Sequence, residues 1–186
     1  MFDEQGFDET TVEEIASAVD ISPRSFFRYF ASKEDLVLGD PMIYGEPVRQ
    51  RLAEGLETMP VWEALRWGFE AVVETTESQA EWALRATRVM IRTSSLRARN
   101  TEKHLAWLSV LEPLVTGALT GPEIERQYRA KAITLCALTC LDVSHAEWVH
   151  RAGDVTVRVL LDDAFRMLRP ATLAEAEVPR PATPVR

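Results

Sequence analysis

Two arginines four residues apart, Arg24 and Arg28 in the segment SPRSFFRYF, are the side chains in this chain best placed to do chemistry with a partner. On a helix turning by ~100° per residue, Arg28 falls about 40° from Arg24, Ser25 about 100° and Tyr29 about 140°. Phe26 and Phe30 fall near ~200° and ~240°, on the other side, and Phe27 near ~300° lies at the edge of the arginine face. One face must therefore be buried, and the other offers guanidinium groups, hydroxyls and aromatic edges. Guanidinium forks bond guanine edges or phosphates, and hydroxyls bond the nucleic-acid backbone. Pro23, Arg24, Ser25, Phe27, Arg28 and Tyr29 are the expected face of a helix entering a major groove.

No catalytic pattern competes. HExxH, GxSxG, a Gly-rich phosphate loop and paired Cys/His metal spacings are all missing from the sequence. His145, Glu147 and His150 read as a solvated cluster on a surface helix. Cys136 and Cys140, four apart in a helical stretch, read as buried thiols in a reducing compartment. The sequence thus predicts no enzyme, no cofactor and no metal.

A helix as short as Pro23–Phe30 is unstable alone and needs a frame. Thr11 with Glu14 fits a capping box, and Ile15, Ala16 and Val19 form the stripe that faces inward. Ser22 caps the next helix with Pro23 at its first position, and Ser32 caps a third with Asp35 at the box position. Ile15, Val19 and Leu36 are expected to clamp Phe26 and Phe30.

Beyond the frame the periodicity is helical throughout. Residues 39–60 read as a connection that becomes helical from Val48. Helices follow from Pro60, from Trp82 to Thr93, after an SSLRARN link, from Thr120–Pro122 to about Val149, and from Thr156 to Leu168. Pro113 should kink or restart the fourth zone of helix. No period-two run appears, so the class is all-α. The expected division is 1–40, a helix-turn-helix (three-helix) domain; 41–169, a helical bundle; and 170–186, a proline-rich disordered tail.

The net charge of −8 and pI near 5.0 exclude a protein that holds polyanions by bulk charge. Residues 1–40 carry three basic side chains against ten acidic ones, a net of −7. No apolar run is long enough to span a membrane and the start has no secretory character, so a cytoplasmic protein without membrane contact is expected.

Residues 6–38, GFDETTVEEIASAVDISPRSFFRYFASKEDLVL, resemble the DNA-binding domain of the tetracycline-repressor (TetR) family. The resemblance is carried by Gly6-Phe7, Thr10-Thr11-Val12, Ile15-Ala16, Ile21-Ser22, Phe26-Phe27-x-Tyr29-Phe30 and Ser32-Lys33-Glu34-x-Leu36. It implies a homodimer on a near-palindromic operator, released by a small-molecule effector. Thr10 and Thr11 are implied to touch phosphate. Pro23, Arg24, Ser25, Phe27 and Arg28 are implied to face bases and adjoining backbone, and Tyr29 and Lys33 to bind phosphate. Only Met1 to Gln5 precede the Gly-Phe pair, so most of the family's first helix and its basic arm are expected to be lacking, with weaker operator binding as the result.

The second domain is where the resemblance implies an effector pocket and a dimer face. Trp62, Trp67, Trp82, Met90, His104, Trp107 and Trp148 are the candidate pocket residues, suited to a flat or greasy ligand. Leu135, Leu138, Val157, Leu161, Phe165 and Leu168, on the last two helices, are the candidate dimer face. The alternative to a regulator is a DNA-silent helical dimer that only binds small molecules.

Overall fold

The structure, a computed structural model, describes residues 2–39 and 41–169. The expected disordered tail lies outside the described residues. Among the described residues every regular element is helical. None of these helices is long and apolar enough to cross a membrane.

Four short elements come first: α1 (Phe2–Gln5), α2 (Val12–Ala18), α3 (Pro23–Tyr29) and α4 (Asp35–Leu38). The capping box forms as read: the Glu14 amide donates to Thr11 Oγ1 at 3.2 Å and the Thr11 amide donates to Glu14 Oε2 at 2.8 Å. That backbone donor holds the Glu14 carboxyl below the usual carboxylate range. At the far end of α2, the Ile21 amide donates to Ala16 O at 3.0 Å and the Asp20 amide to Ser17 O at 3.3 Å. This is a Schellman closure with Asp20 in the left-handed position at φ 53. Ser22 then caps α3 through the Ser25 amide at 3.1 Å.

Phe26 is buried, with its ring 5.3 Å from both Phe27 and Phe30. Val19, expected in the clamp, is 62% exposed. It is the C-cap of α2, so its backbone has left the helix and its side chain has left the inward stripe. Ser32 does not cap α4 with its hydroxyl. Its amide donates to Asp35 Oδ2 at 3.0 Å, while Glu34 is the N-cap.

The body is built from α5 (Pro41–Gly55), α6 (Val61–Ser78), α7 (Ala80–Arg92), α8 (Ser94–Ala118), α9 (Glu123–His150) and α10 (Val157–Met167). Three boundaries differ from the sequence reading. Helix α5 begins seven residues ahead of Val48 and runs through Pro47. SSLRARN is not a link but the first turns of α8, because Leu96 is fully buried against Phe7 and Val89. Pro113 neither ends nor restarts α8: Leu111 and Val115 on either side are fully buried, so core packing outweighs the missing N–H.

The main core joins Leu52 of α5, Trp62, Leu65, Phe69 and Val73 of α6, Trp107 and Leu111 of α8, Leu138 of α9 and Leu161 and Phe165 of α10. Trp62 Nε1 donates to the Phe165 carbonyl at 2.9 Å, satisfying the one polar atom that this ring brings inside. Gly45 lets α5 lie flat on α8, since a Cβ there would sit 2.9 Å from Trp107 Nε1. Arg66 bridges Glu70 at 2.8 Å and Asp162 at 2.6 Å, and Arg158 pairs with Glu70 and Glu77, tying α6 to α10. Cys140 is buried, and desolvation pushes its thiol up to about 11. Cys136 is exposed, which corrects the expectation of two buried thiols.

Helix α9 closes as α2 does. The Gly153 amide donates to Trp148 O at 3.0 Å and the Ala152 amide to Val149 O at 3.0 Å. Here the left-handed position, φ 52, is held by Ala152. A Cβ is unfavourable in that conformation, and glycine's greater freedom when unfolded returns only part of the difference. Ala152→Gly should therefore stabilise the fold by about 0.5–1 kcal/mol in denaturant unfolding. A destabilisation would show that the Ala152 side chain contributes contacts of its own.

Candidate nucleic-acid interface and effector cavity

The outward face of α3 carries Pro23, Arg24, Phe27, Arg28 and Tyr29 in the open, with Ser25 half-buried. Phe27 is 55% and Tyr29 67% exposed, a large apolar offering for a surface with no partner. Arg28 is already arranged: its Nη2 donates to the Tyr29 hydroxyl at 2.9 Å and its guanidinium sits 4.8 Å from the Tyr29 ring centroid. Arg24 makes no such contact among the described residues. Thr11 stays exposed at the start of α2.

Thr10 and Lys33 are not on that face. Thr10 is fully buried and its hydroxyl donates to Gly6 O at 2.7 Å. Lys33 Nζ donates to Phe7 O at 2.6 Å and Thr10 O at 2.8 Å, with Asp8 O at 3.5 Å, and lies 4.4 Å from the Phe7 ring centroid. The reason is the loop. Gly6, at φ 92, turns the chain so that three carbonyls converge on one ammonium. Both residues are engaged inside the frame.

Behind the frame, Phe7 joins Val89 of α7 and Leu96 of α8 in a small apolar cluster, ringed by Phe2, Val37, Leu38 and Met90. Asp35 accepts from Arg99 Nη2 at 3.3 Å, and Arg99 also donates to Glu102 at 2.8 Å. The reading head is thus seated on the α7–α8 corner.

Next to that seat lies a cavity partly open to solvent. Val37 and Leu38 of α4 form one wall. Helix α6 contributes Val72, Thr75, Thr76 and Gln79, and α7 contributes Trp82, Ala83, Ala86, Thr87 and Met90. Asn100, Lys103 and Trp107 come from α8, and Leu141, Asp142 and His145 from α9. His145 is half-buried, its Nδ1 2.9 Å from Leu141 O and its Nε2 3.3 Å from the Thr76 hydroxyl. Desolvation lowers its pKa, as it does those of His104 and Lys103.

A model of the tetR family of bacterial regulatory proteins matches residues 1–39, and one of the MftR C-terminal domain matches residues 59–173. The chain belongs to the TetR family of transcription regulators. The regulator TcmR of Streptomyces glaucescens is 29% identical, over 94% of this chain and 80% of its own length. MftR of Mycobacterium tuberculosis (strain ATCC 25618 / H37Rv), named as a regulator of mycofactocin biosynthesis, is 26% identical over 89% of this chain and 82% of its own. Among solved structures, Thermus thermophilus FadR, a repressor crystallised with lauroyl-CoA, is 26% identical at a TM-score of 0.56. That match covers 98% of this chain and 94% of FadR.

With this TetR-family frame in place, the pocket residues sort cleanly. Trp82, Met90 and Trp107 line the cavity. Trp62 does not, being committed to the α6–α10 joint. Trp67 is 41% exposed on the outer side of α6, with the Arg51 guanidinium 5.4 Å from its ring centroid. Trp148 lines a separate open groove with Leu84 and Gly153. His104 stands behind the wall, its Nδ1 3.2 Å from Asp142 Oδ2. His145, read as solvated, is a wall residue, while His150 is exposed. Of the polar wall, Asn100 lies in SSLRARN, the stretch expected as a link. Read as helix, Asn100, Lys103 and Trp107 fall at i, i+3 and i+7 on one face.

The dimer candidates also divide. Leu138, Val157, Leu161 and Phe165 are at most 5% exposed within one subunit and belong to its own core. Leu135 and Leu168 remain exposed.

Arg24 and Lys33 make opposite predictions. Lys33→Ala leaves two or three carbonyls without their charged donor and should cost the reading head about 1.5–3 kcal/mol, seen as lost amide-exchange protection across Phe7–Thr10. Arg24→Ala should leave that protection unchanged. Equal protection in both variants would contradict the internal role of Lys33.

Proposed function

We propose that this chain is a ligand-responsive transcription regulator, a repressor acting as a homodimer on a near-palindromic operator. A small apolar or amphipathic effector in the α4–α9 cavity releases it. The division of labour follows the chain: residues 1–40 read DNA and residues 41–169 hold effector and partner. No catalytic step is assigned, and the site of action is the cytoplasm.

The observation that carries this reading is the double use of Val37 and Leu38. They line the cavity and also belong to the cluster that seats the reading head. A ligand filling the cavity presses on the element that Lys33 connects to the frame and Asp35 to α8. It can favour one placement of α3 only by its difference in affinity between the two placements. The lauroyl-CoA bound to the Thermus relative, an acyl chain on a polar carrier, supports an amphipathic effector.

For the partner copy, the outward stripe of α9 and α10 is the proposed face. Ile124 and Tyr128 are 78% and 76% exposed, and Val143, Val159 and Met167 lie 49%, 48% and 78% exposed with Leu135 between them. Val143→Glu should give a folded monomer in light scattering, and Leu161→Glu an unfolded chain. A Val143→Glu dimer of unchanged stability would reject this face.

The second reading, a DNA-silent dimer, draws on charge. Arg24 and Arg28 are the only basic side chains of residues 1–40 left facing outward, among ten acidic ones. Enrichment of random duplexes on the full chain decides between the two. A regulator returns half-sites about one helical turn apart, and Arg24→Ala then costs about 1–3 kcal/mol with relaxed preference at one base pair. A pool with no sequence preference would favour the silent dimer.

A further inference from the structure

We infer that the effector is an apolar carboxylic acid, seated with its carboxylate against Lys103. The inference deepens the effector reading above and rests on it. Lys103 projects from α8 into the cavity wall between Asn100 and Trp107. Its ammonium lies 5.4 Å from the Trp107 ring centroid, and among the described residues no carboxylate reaches it within ion-pair distance.

The other ionisable groups of the wall are already engaged. Asp142 is its single carboxylate. Asp142 Oδ1 accepts from Asn100 Nδ2 at 3.1 Å, and its Oδ2 lies 3.2 Å from His104 Nδ1. His145 donates through Nδ1 to the Leu141 carbonyl, its Nε2 lies 3.3 Å from the Thr76 hydroxyl, and burial favours its uncharged form. The cavity therefore presents one anion that is already engaged and one cation that feels Asp142 only from beyond ion-pair distance.

Burial lowers the Lys103 pKa, as expected for an ammonium short of solvation. A carboxylate arriving here exchanges that deficit for a charge-assisted hydrogen bond, worth roughly twice a neutral one. The remainder of the wall, Val72, Trp82, Met90 and Leu141, suits an apolar body. A cationic ligand would meet the like charge of Lys103. A neutral alcohol would leave the ammonium as it is.

Dodecanoate, dodecan-1-ol and dodecylamine, matched in chain length and used below their aggregation concentrations, test this on the full-length protein by calorimetry and tryptophan fluorescence. The wild type should bind dodecanoate at least about tenfold more tightly than either other probe. Lys103→Met should close the gap between acid and alcohol, and Lys103→Arg should keep it. The inference is overturned if dodecanoate does not bind, if acid and alcohol bind alike, or if the gap survives Lys103→Met. Ala86→Trp, which fills the cavity, tells this failure from that of the effector reading: if all binding persists in that variant, the ligand sits elsewhere and both readings fall.

Discussion

Lys33 reaches back from the turn before α4 to the carbonyls of Phe7 and Thr10, at 2.6 and 2.8 Å, and the DNA-reading end of the molecule depends on that closure. Two seven-residue helices and two single turns make too small a core to stand alone. Phe26 is the only large side chain of α2 and α3 that is fully buried. The rest of the hold comes from behind. The ammonium gathers the loop, Thr10 closes it on Gly6, and Phe7 plugs it into the corner formed by Val89 and Leu96. The outward arginines and aromatics of α3 are rigidly displayed because the opposite side is pinned to the body.

That pinning has a consequence for control. The element that fastens the head, α4, is also one wall of the cavity. A head seated on its own core would be indifferent to what occupies the body. In the proposed mechanism a change in the fill of the cavity acts on Val37 and Leu38, which also pack under the head. Close-packed interiors pass such displacements on instead of absorbing them. The cavity is mixed in character, with Trp82 and Met90 on one side and Lys103, Asn100 and Asp142 on the other. This mixture is what distinguishes a binding site from a packing defect, which would be apolar throughout.

Much of this was legible in the sequence wherever the signal was local. The caps at Thr11 and Ser22, the inward Phe26 and the outward Arg24 and Arg28 all follow from spacing within one or two turns. What was not legible depended on contacts between distant segments. Thr10 and Lys33 are polar residues near a DNA-reading helix, and only the fold-back of the Gly6–Thr10 loop turns them inward. Leu161 and Phe165 carry enough apolar surface for a second interface, yet α10 packs on both α6 and α9 and uses that surface within its own subunit. Leu96 is a single apolar residue in a run of polar ones. Its burial under Phe7, far away in sequence, decides that this run is helix, and with it where Asn100 and Lys103 point.

The central claim is that one wall serves both sites, so filling the cavity must loosen the grip on DNA. It is tested most directly by measuring operator affinity by anisotropy with the cavity empty and then saturated, occupancy being followed independently through Trp82 and Trp107 fluorescence. The account predicts a loss of affinity of about tenfold or more on saturation, equivalent to at least ~1.4 kcal/mol of coupling. The same operator affinity with the cavity demonstrably full would contradict it.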